Sequence, residues 1–461
     1  MKPFGLRVEE AARAQIIPLP RPVAAVAAPD AGILLRLRGK IMERLDSAGV
    51  AEMAPEVLRA ELEPVIHEIA GQERVQLSAR DQTRLAQELS DDMVGFGPLE
   101  PLLRDESISD IMVNGPNAVF VEVSGKLQKS TVRFRDAEHA AMVAQKMVAT
   151  VGRRVDESSP LCDARLPDGS RVNVIFPPLA LDGPCISIRK FTKKKMDLAA
   201  MVANGSMNAA VARLLEIAAR CRLNILVSGG TGSGKTTLLN AVSRMISPGE
   251  RIITIEDAAE LQLQQPHVVR LETRTANLEG RGEISQRELL RNALRMRPDR
   301  IIVGEVRGTE AYDMLQAMNT GHAGSISTVH ANTPRDAISR VENMVQMAAV
   351  NLPARAIRTQ IVSALDLIIQ IERMRDGVRR ISRISDICGM ESEVITMNDV
   401  ASFEFESEDS GGGIVGHYHS AMMCPSFADR LAYFDLERAW TDAMQAMRLS
   451  ASPQPRRSGR G

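Results

Sequence analysis

Residues 229–237 have the types and the spacing that bind the phosphates of a nucleotide. Gly229, Gly234, Lys235 and Thr236 fit the pattern G-x-x-x-x-G-K-[ST]. Glycines let backbone N–H groups close around phosphate oxygens, and the N-terminus of a following helix adds positive potential. In such a loop the lysine reaches the β- and γ-phosphates, and the threonine hydroxyl binds Mg²⁺ directly. We therefore predict a nucleoside-triphosphate site that comprises Gly229, Gly230, Thr231, Gly232, Ser233, Gly234, Lys235, Thr236 and Thr237.

The segments on either side of this loop are those that phosphate binding requires. Leu223–Val227 is mostly apolar, as a buried strand would be. After the loop, apolar residues recur at helical spacing from Leu238 to Ile246, and Ser247-Pro248-Gly249 ends the pattern. A glycine-rich turn that precedes a lysine by chance is the alternative, but it would not need this order of strand, loop and helix.

Three polar side chains follow later apolar runs that indicate parallel strands. Glu256 and Glu305 each end an isoleucine-rich run, and His330 lies in the run Ser325–Asn332. In open α/β sheets ligands bind at the carboxyl ends of the strands. We therefore expect Glu256, Glu305 and His330 to converge on Lys235.

Composition limits the classes of protein to which the chain can belong. With 461 residues, 44% hydrophobic and 25% charged, it is typical of a soluble protein of about three domains. A net charge of -1, three tyrosines and one tryptophan argue against a nucleic-acid partner. The five cysteines are isolated, which argues against zinc sites and disulfides. No apolar run approaches the roughly 18 residues of a membrane span, so we expect a cytoplasmic protein.

Changes of pattern along the chain predict its organisation. A proline- and alanine-rich flexible tail precedes three amphipathic helices, then an antiparallel α+β region with a hairpin at Asp168-Gly169, then the P-loop domain. Residues 402–416 are expected to be a polar, glycine-rich loop. The predicted segments are a tail at 1–30, a helical bundle at 31–94, an α+β N-terminal domain at 95–191, a linker at 192–208, an ATPase domain at 209–400 and a partly disordered C-terminal extension at 401–461.

The α+β region is rich in arginine. Each of Arg165, Arg171 and Arg189, taken alone, is typical of an exposed side chain. Beside a P-loop domain, however, an arginine can neutralise charge on the γ-phosphate. Both interpretations stay open for each of them.

Four stretches together resemble one family. GGTGSGKTT, TIEDAAELQL, RPDRIIVGEVRG and TGHAGSISTVHAN stand in the order of the Walker A, Asp box, Walker B and His box of the type II/IV secretion ATPases. The text from GPLEPLL to RVENMV is similar to the CpaF-type members, which power tight-adherence (Flp) pilus assembly. The resemblance covers roughly Gly95 to Met390. It implies an α+β N-terminal domain followed by a RecA-like core. With the helical bundle that the periodicity predicts, the expected fold class is α/β, a RecA-like P-loop NTPase core preceded by the α+β domain and the helical bundle.

The resemblance also implies roles for individual residues. Lys235 and Thr236 would hold phosphate and Mg²⁺, and Glu256 would polarise the attacking water. Glu305 would organise Mg²⁺ through water, and His330 would sense the γ-phosphate. The candidates for an arginine finger are Arg165, Arg171, Arg189, Arg270 and Arg274.

The function implied is that of a hexameric motor. A homohexamer would hydrolyse ATP with Mg²⁺ to drive pilus assembly through an inner-membrane platform protein, peripheral at that membrane. AIRTQI (Ala356–Ile361) partly resembles the AIRNLI signature of retraction ATPases, which would add retraction. Two alternatives stay open, a RecA-like nucleic-acid translocase and a nucleotide-gated scaffold with little turnover. Net charge near zero argues against the first, and the presence of both Glu256 and Glu305 argues against the second.

Overall fold

The computed structural model describes residues 31–45, 47–50, 53–123, 125–191, 196–274, 276, 281–348 and 352–451. The predicted tail, residues 192–195 of the predicted linker and residues 452–461 lie outside these ranges. The chain divides into two compact units at the junction of Pro101 and Leu102.

The first unit is helical. Its elements are α1 (Ala31–Arg44), α2 (Ser47–Val50), α3 (Pro55–Gln72), α4 (Ala79–Val94) and a 3₁₀ turn (Gly97–Leu99), with α5 (Glu100–Arg104) at the junction. The Ser78 hydroxyl accepts the N–H of Asp81 at 3.2 Å and so caps the N-terminus of α4. Apolar residues of α1, α3 and α4 pack into one core, which includes Leu37, Leu62 and Leu89.

The second unit begins with a six-stranded antiparallel sheet. Its elements are β1 (Ile108–Asn114), β2 (Val119–Val123), β3 (Lys126–Lys129), α6 (Ala137–Ala149), β4 (Leu161–Arg165), β5 (Arg171–Ile175) and β6 (Cys185–Arg189). The strand order is β3-β2-β1-β6-β5-β4. The predicted hairpin joins β4 to β5, with Gly169 at φ +92° and the Asp168 carboxylate accepting the N–H of Ser170 at 2.9 Å.

A nine-stranded sheet follows, with the order β15-β14-β13-β12-β7-β11-β10-β8-β9. Its first elements are α7 (Leu198–Ala203), α8 (Ala209–Arg220), β7 (Ile225–Ser228), α9 (Lys235–Ser243), β8 (Ile252–Glu256), β9 (Val268–Glu272), α10 (Gln286–Ala293), β10 (Arg300–Val303) and α11 (Glu310–Asn319). Its later elements are β11 (Ile326–Val329), α12 (Pro334–Ala348), α13 (Ala354–Ala364), β12 (Leu367–Arg373), β13 (Arg379–Glu391), β14 (Val394–Glu408), β15 (Ile414–His419), α14 (Ala428–Tyr433) and α15 (Glu437–Ala451).

The central strands of this sheet are parallel and buried on both faces. Successive side chains point to opposite faces, so Ile225 and Val227 join one core while Leu226 joins the other. Helices α8, α9 and α15 contribute to the first core, and α10 to α13 contribute to the second. The predicted α/β fold class is confirmed, with a RecA-like core after an α+β sheet and a helical bundle.

The prediction of a loop at 402–416 is wrong. β14 runs to Glu408 and β15 starts at Ile414, so most of this stretch is a hairpin in which Phe403 pairs with Tyr418. The Asp409 carboxylate closes the turn by accepting the N–H groups of Gly411 and Gly413, each at 2.8 Å. The expected start of a separate extension at residue 401 therefore falls inside a strand of the main sheet.

Residues after this hairpin also belong to the core. Trp440 and Met447 of α15 are buried against α8 and the sheet. Among the described residues, no helix combines the length and the hydropathy needed to cross a bilayer.

Candidate active site

A cavity of about 670 Å³ lies where β7, β8, β10 and β11 end. The four residues that the sequence predicts to converge, Lys235, Glu256, Glu305 and His330, all line it, because each follows one of these parallel strands. Side chains of the six-stranded sheet line the same cavity, among them Arg171 and Arg189. The second unit therefore builds the site from both of its sheets.

The predicted phosphate-binding loop has a backbone that depends on glycine. Gly232 and Gly234 have φ values of +71° and +100°, where residues with a Cβ are strained. A Cβ on Gly229 would lie 2.3 Å from the carbonyl oxygen of Ile371, so β12 leaves no room for a side chain. α9 begins at Lys235 and points its N-terminus into the cavity. This geometry fits the phosphates of a nucleotide.

Lys235 is held by the loop to which it belongs. Its Nζ donates to the carbonyl oxygens of Gly229 and Gly230 at 2.9 and 3.0 Å, and lies 3.2 Å from Nδ1 of His330. Burial lowers the pKa of Lys235 to about 8, although the charge of Glu305 acts in the opposite direction. The ammonium is still the main form at pH 7.

His330 bridges Lys235 and Glu305. Its Nε2 lies 2.9 Å from Oε1 of Glu305. Burial and the charge of Lys235 lower the pKa of His330, so the ring is neutral near pH 7. With these partners the neutral ring accepts from Lys235 at Nδ1 and donates from Nε2 to Glu305, a tautomer assigned from the contacts.

Glu305 contacts Arg307 as well as His330. Nη2 of Arg307 donates to its Oε2 at 2.8 Å, and Nη1 of Arg307 lies 3.5 Å from Asp257. Burial acts to raise the pKa of Glu305, but the hydrogen bond and charge of Arg307 outweigh it and the pKa is lowered. Glu305 and Thr236 both line the cavity, and an ionised carboxylate together with a hydroxyl is a donor set suited to Mg²⁺.

Glu256 is in a different environment, because only 4% of its surface is exposed. Its Oε2 accepts the N–H groups of Glu260 and Leu261 at 2.7 and 2.9 Å. Its Oε1 is buried and accepts no hydrogen bond from any residue that the structure describes. Burial raises the pKa of Glu256 to about 7, although the two N–H groups and Arg270 act to lower it. A carboxyl group with one fixed oxygen and a pKa near neutrality suits general-base chemistry.

Three of the five candidate arginines lie in one row. Arg165 pairs with Arg171 across β4 and β5, and Arg171 pairs with Arg189 across β5 and β6. Arg171 and Arg189 line the cavity, and Nε of Arg189 donates to Asp110 at 3.2 Å. Arg165 and Arg171 contact residues 258–260, the segment after β8.

The other two candidates lie elsewhere. Nη2 of Arg270 donates to the carbonyl oxygen of Ala259 at 3.2 Å, and Nε of Arg274 donates to that of Gly282 at 2.6 Å. Neither of these two arginines, nor Arg165, is among the residues that line the cavity.

Sequence reasoning missed four arginines that line the cavity, Arg244, Arg307, Arg373 and Arg379. Arg307 stands two residues after Glu305, a proximity that could have suggested the contact. Nε of Arg379 donates to the carbonyl oxygen of Gly232 at 2.8 Å, and Arg373 donates to that of Gly125 in the six-stranded sheet. No local signal predicts Arg373 and Arg379, because they reach the site through the pairing of β12 with β7 and of β13 with β12.

Several known proteins are similar to this chain. The chain is 41% identical over 312 residues to a Mycobacterium tuberculosis protein whose name assigns it provisionally to conjugal transfer, covering 66% of this chain and 88% of that protein. It is 33% identical to the conjugal transfer protein TrbB of Rhizobium radiobacter, covering 71% of this chain and 98% of that one. Among solved structures, the VirB11 ATPase of the Brucella suis type IV secretion system is 30% identical, with a TM-score of 0.34 and coverage of 62% and 94%. The type II/IV secretion system protein family matches residues 92–397, more than half of the chain. This protein therefore belongs to the type II/IV secretion system protein family.

Proposed function

We propose that this protein is an ATPase motor that hydrolyses ATP to assemble a Flp-type pilus, as the CpaF-type resemblance implies. The observation that carries the proposal is the convergence of Lys235, Glu305 and His330, with Glu256, on one cavity beside a glycine-dependent loop. A nucleotide-gated scaffold would need the loop but not a buried carboxyl group whose pKa lies near 7.

In the proposed mechanism each residue has one task. The N–H groups of residues 229–237 and the ammonium of Lys235 bind the phosphates. The Thr236 hydroxyl and Glu305 would hold Mg²⁺, Glu305 through water, and the ion would neutralise charge on the phosphate oxygens. Glu256 accepts the proton of the attacking water at Oε1, the oxygen that has no partner among the described residues. His330 senses the γ-phosphate through its contacts with Lys235 and Glu305.

We further propose that the working form is a homohexamer in the cytoplasm, docked on an inner-membrane platform protein. Closure of the six-stranded sheet over the nucleotide, and reopening after hydrolysis, would move that platform protein and add pilin. The cavity that both sheets line supports this coupling, since nucleotide bound there would touch both. Retraction of the pilus by the same motor is a further proposal, which rests on AIRTQI alone.

A second candidate is an ATPase of a conjugal transfer or type IV secretion apparatus. The names of the relatives favour it, because two of the three proteins compared are assigned to conjugal transfer and the third to type IV secretion. In this case the same site would drive export rather than pilin addition. A nucleic-acid translocase is a third reading, and DNA-stimulated hydrolysis at physiological salt would favour it.

The first experiment measures ATPase activity per protomer against protein concentration, with mass determination, for the wild type, Lys235→Ala and the exposed control Lys126→Ala. A rate that rises as a six-subunit species forms, and that only Lys235→Ala loses, supports a hexameric ATPase. Equal ATPase rates in all three proteins would refute the assignment of this cavity as the ATPase site. In the native host, Lys235→Ala should abolish pili. Loss of conjugation or secretion with pili intact would favour the second candidate.

A further inference from the structure

The segment after β8 is bound from two sides. Residues 258–261 connect β8 to the chain that leads to β9, and the arginine row of β4 and β5 contacts them from the six-stranded sheet. On the other side, the same segment donates two N–H groups to Glu256. It therefore lies between the N-terminal sheet and the proposed general base.

Arg165 makes the most direct contact with this segment. Its Nη2 donates to the carbonyl oxygen of Ala259, while its Nη1 lies 2.7 Å from Oε2 of Glu272. The same Glu272 oxygen accepts the N–H of Ala259 at 3.2 Å. Arg165 and Glu272 thus hold both polar groups of the Ala259 main chain.

Arg171 holds the neighbouring residues more loosely. Its Nη2 donates to the carbonyl oxygen of Ala258 at 3.4 Å. Its Nε lies 2.9 Å from Oε1 of Glu260, an ion pair whose angle is too bent for a hydrogen bond. Both side chains of this pair are about one-third exposed, so solvent weakens it.

The peptide bond between Ala259 and Glu260 links Arg165 to Glu256. Its carbonyl oxygen accepts from Arg165, and its N–H donates to Oε2 of Glu256 at 2.7 Å. A peptide unit is planar and rigid, so its C=O and N–H cannot turn independently. A displacement of Arg165 that rotates this plane moves the donor that fixes Glu256.

We propose that Arg165 is a positioning residue for Glu256, through which the N-terminal sheet controls the proposed general base. The proposal rests on the proposed role of Glu256. Arg270 holds the same carbonyl oxygen at 3.2 Å from β9, within the nine-stranded sheet. Arg270 therefore holds residues 258–261 from within the nine-stranded sheet. Arg165 makes the position of this segment depend on the six-stranded sheet as well. Arg165 acts on the carboxylate through the peptide rather than on phosphate, consistent with its absence from the cavity lining.

The test compares full-length wild type with Arg165→Met, Arg165→Lys and the control Arg154→Met. Arg154 belongs to the same α+β region, is 72% exposed and is paired with Asp156 instead. Amide hydrogen exchange at Glu260 and Leu261 is measured without nucleotide, together with kcat and the Kd for ATP. Arg165→Met should raise exchange at both amides at least about tenfold and lower kcat by up to about 100-fold, the cost of a misplaced catalytic group. The Kd for ATP should change less than about twofold, since the change leaves the phosphate contacts intact.

The remaining variants sharpen the result. Arg165→Lys keeps one donor and should recover most of the protection, while Arg154→Met should change neither readout. Glu272→Gln removes the anchor of Arg165 without removing the arginine, so it should raise exchange in the same way even if Arg165→Met folds poorly. A lower kcat with unchanged exchange, or a parallel loss of ATP affinity, would mean that Arg165 acts on the phosphates, and would overturn the proposal.

Failure of this proposal can be told apart from failure of the proposed function. If the wild type and Lys235→Ala hydrolyse ATP equally, the ATPase site is wrong. Hydrogen exchange does not depend on turnover, so unchanged exchange in Arg165→Met overturns the link to Glu256 even if the ATPase site is right.

Discussion

If Glu256 is the general base, the activity of this protein should rise with pH through neutrality. Burial raises the pKa of Glu256 to about 7, and a base must be deprotonated to accept a proton. Activity should therefore be lost as the pH falls below 7, and rise above it until Lys235, with a pKa of about 8, loses its proton. Glu305 and His330 both have lowered pKa values, so they lose their protons below this interval.

The size of the effect follows from the fraction of ionised Glu256. For a pKa of about 7, that fraction is about 0.09 at pH 6 and about 0.76 at pH 7.5, so kcat/KM should rise about eightfold between them. kcat/KM is the right quantity because it reports groups of the free enzyme. The range stops at pH 7.5, below the pKa of Lys235.

The assay is steady-state ATP hydrolysis at fixed free Mg²⁺ in buffers of constant ionic strength. ATP also titrates in this range, so the Kd for ATP is measured at each pH to separate that contribution. Glu256→Gln should lower kcat by roughly 10²–10⁴-fold, the usual contribution of a general base, and the remaining rate should not show the eightfold rise. A flat wild-type profile, or the same rise in Glu256→Gln, would contradict the assignment of Glu256 as the base.

Three further changes test the surrounding structure. Gly229→Ala should abolish ATP binding in a fluorescent-nucleotide titration, because its Cβ would lie 2.3 Å from a carbonyl oxygen of β12; Gly71→Ala, with open space around its Cβ, is the control. Arg300→Met should destabilise the protein by about 2–4 kcal/mol, since it breaks a buried two-bond pair with Glu250 at 2.7 and 2.9 Å; an unchanged urea midpoint would contradict this. Ser78→Ala should cost about 1 kcal/mol through loss of the α4 cap, measured as faster hydrogen exchange in the first turn of α4.

The convergence of the site residues could be predicted because it follows from one rule. Glu256, Glu305 and His330 each follow a short apolar run, and the carboxyl ends of parallel strands meet at one edge of a sheet. The rule requires no knowledge of strand order. It could not predict which side chains contact one another, such as the bridge from Lys235 through His330 to Glu305, because those contacts depend on rotamers and distances.

The hairpin of β14 and β15 shows where composition misleads. In residues 403–408 glutamate occupies every second position, between two phenylalanines and a serine, and this period of two is typical of a strand with one exposed face. The run of three glycines and the acidic residues instead suggested a loop. The strand forms because β13 offers a partner and Tyr418 buries its ring in the core, and neither condition is visible in the stretch itself.

The arginines of the site show that contacts between residues far apart in the chain cannot be predicted from the local sequence. The pairing of Arg165 with Arg171 could have been derived, because a turn centred on Asp168 places residues three before and three after it opposite each other. The pairing of Arg171 with Arg189 could not, since no tight turn fixes that register. The contact of Arg165 with Ala259 spans 94 residues and exists only because two sheets lie side by side. The sequence therefore offers five equivalent arginines. Only the long-range packing distinguishes Arg165, which donates to the carbonyl oxygen of the peptide group whose N–H binds Glu256.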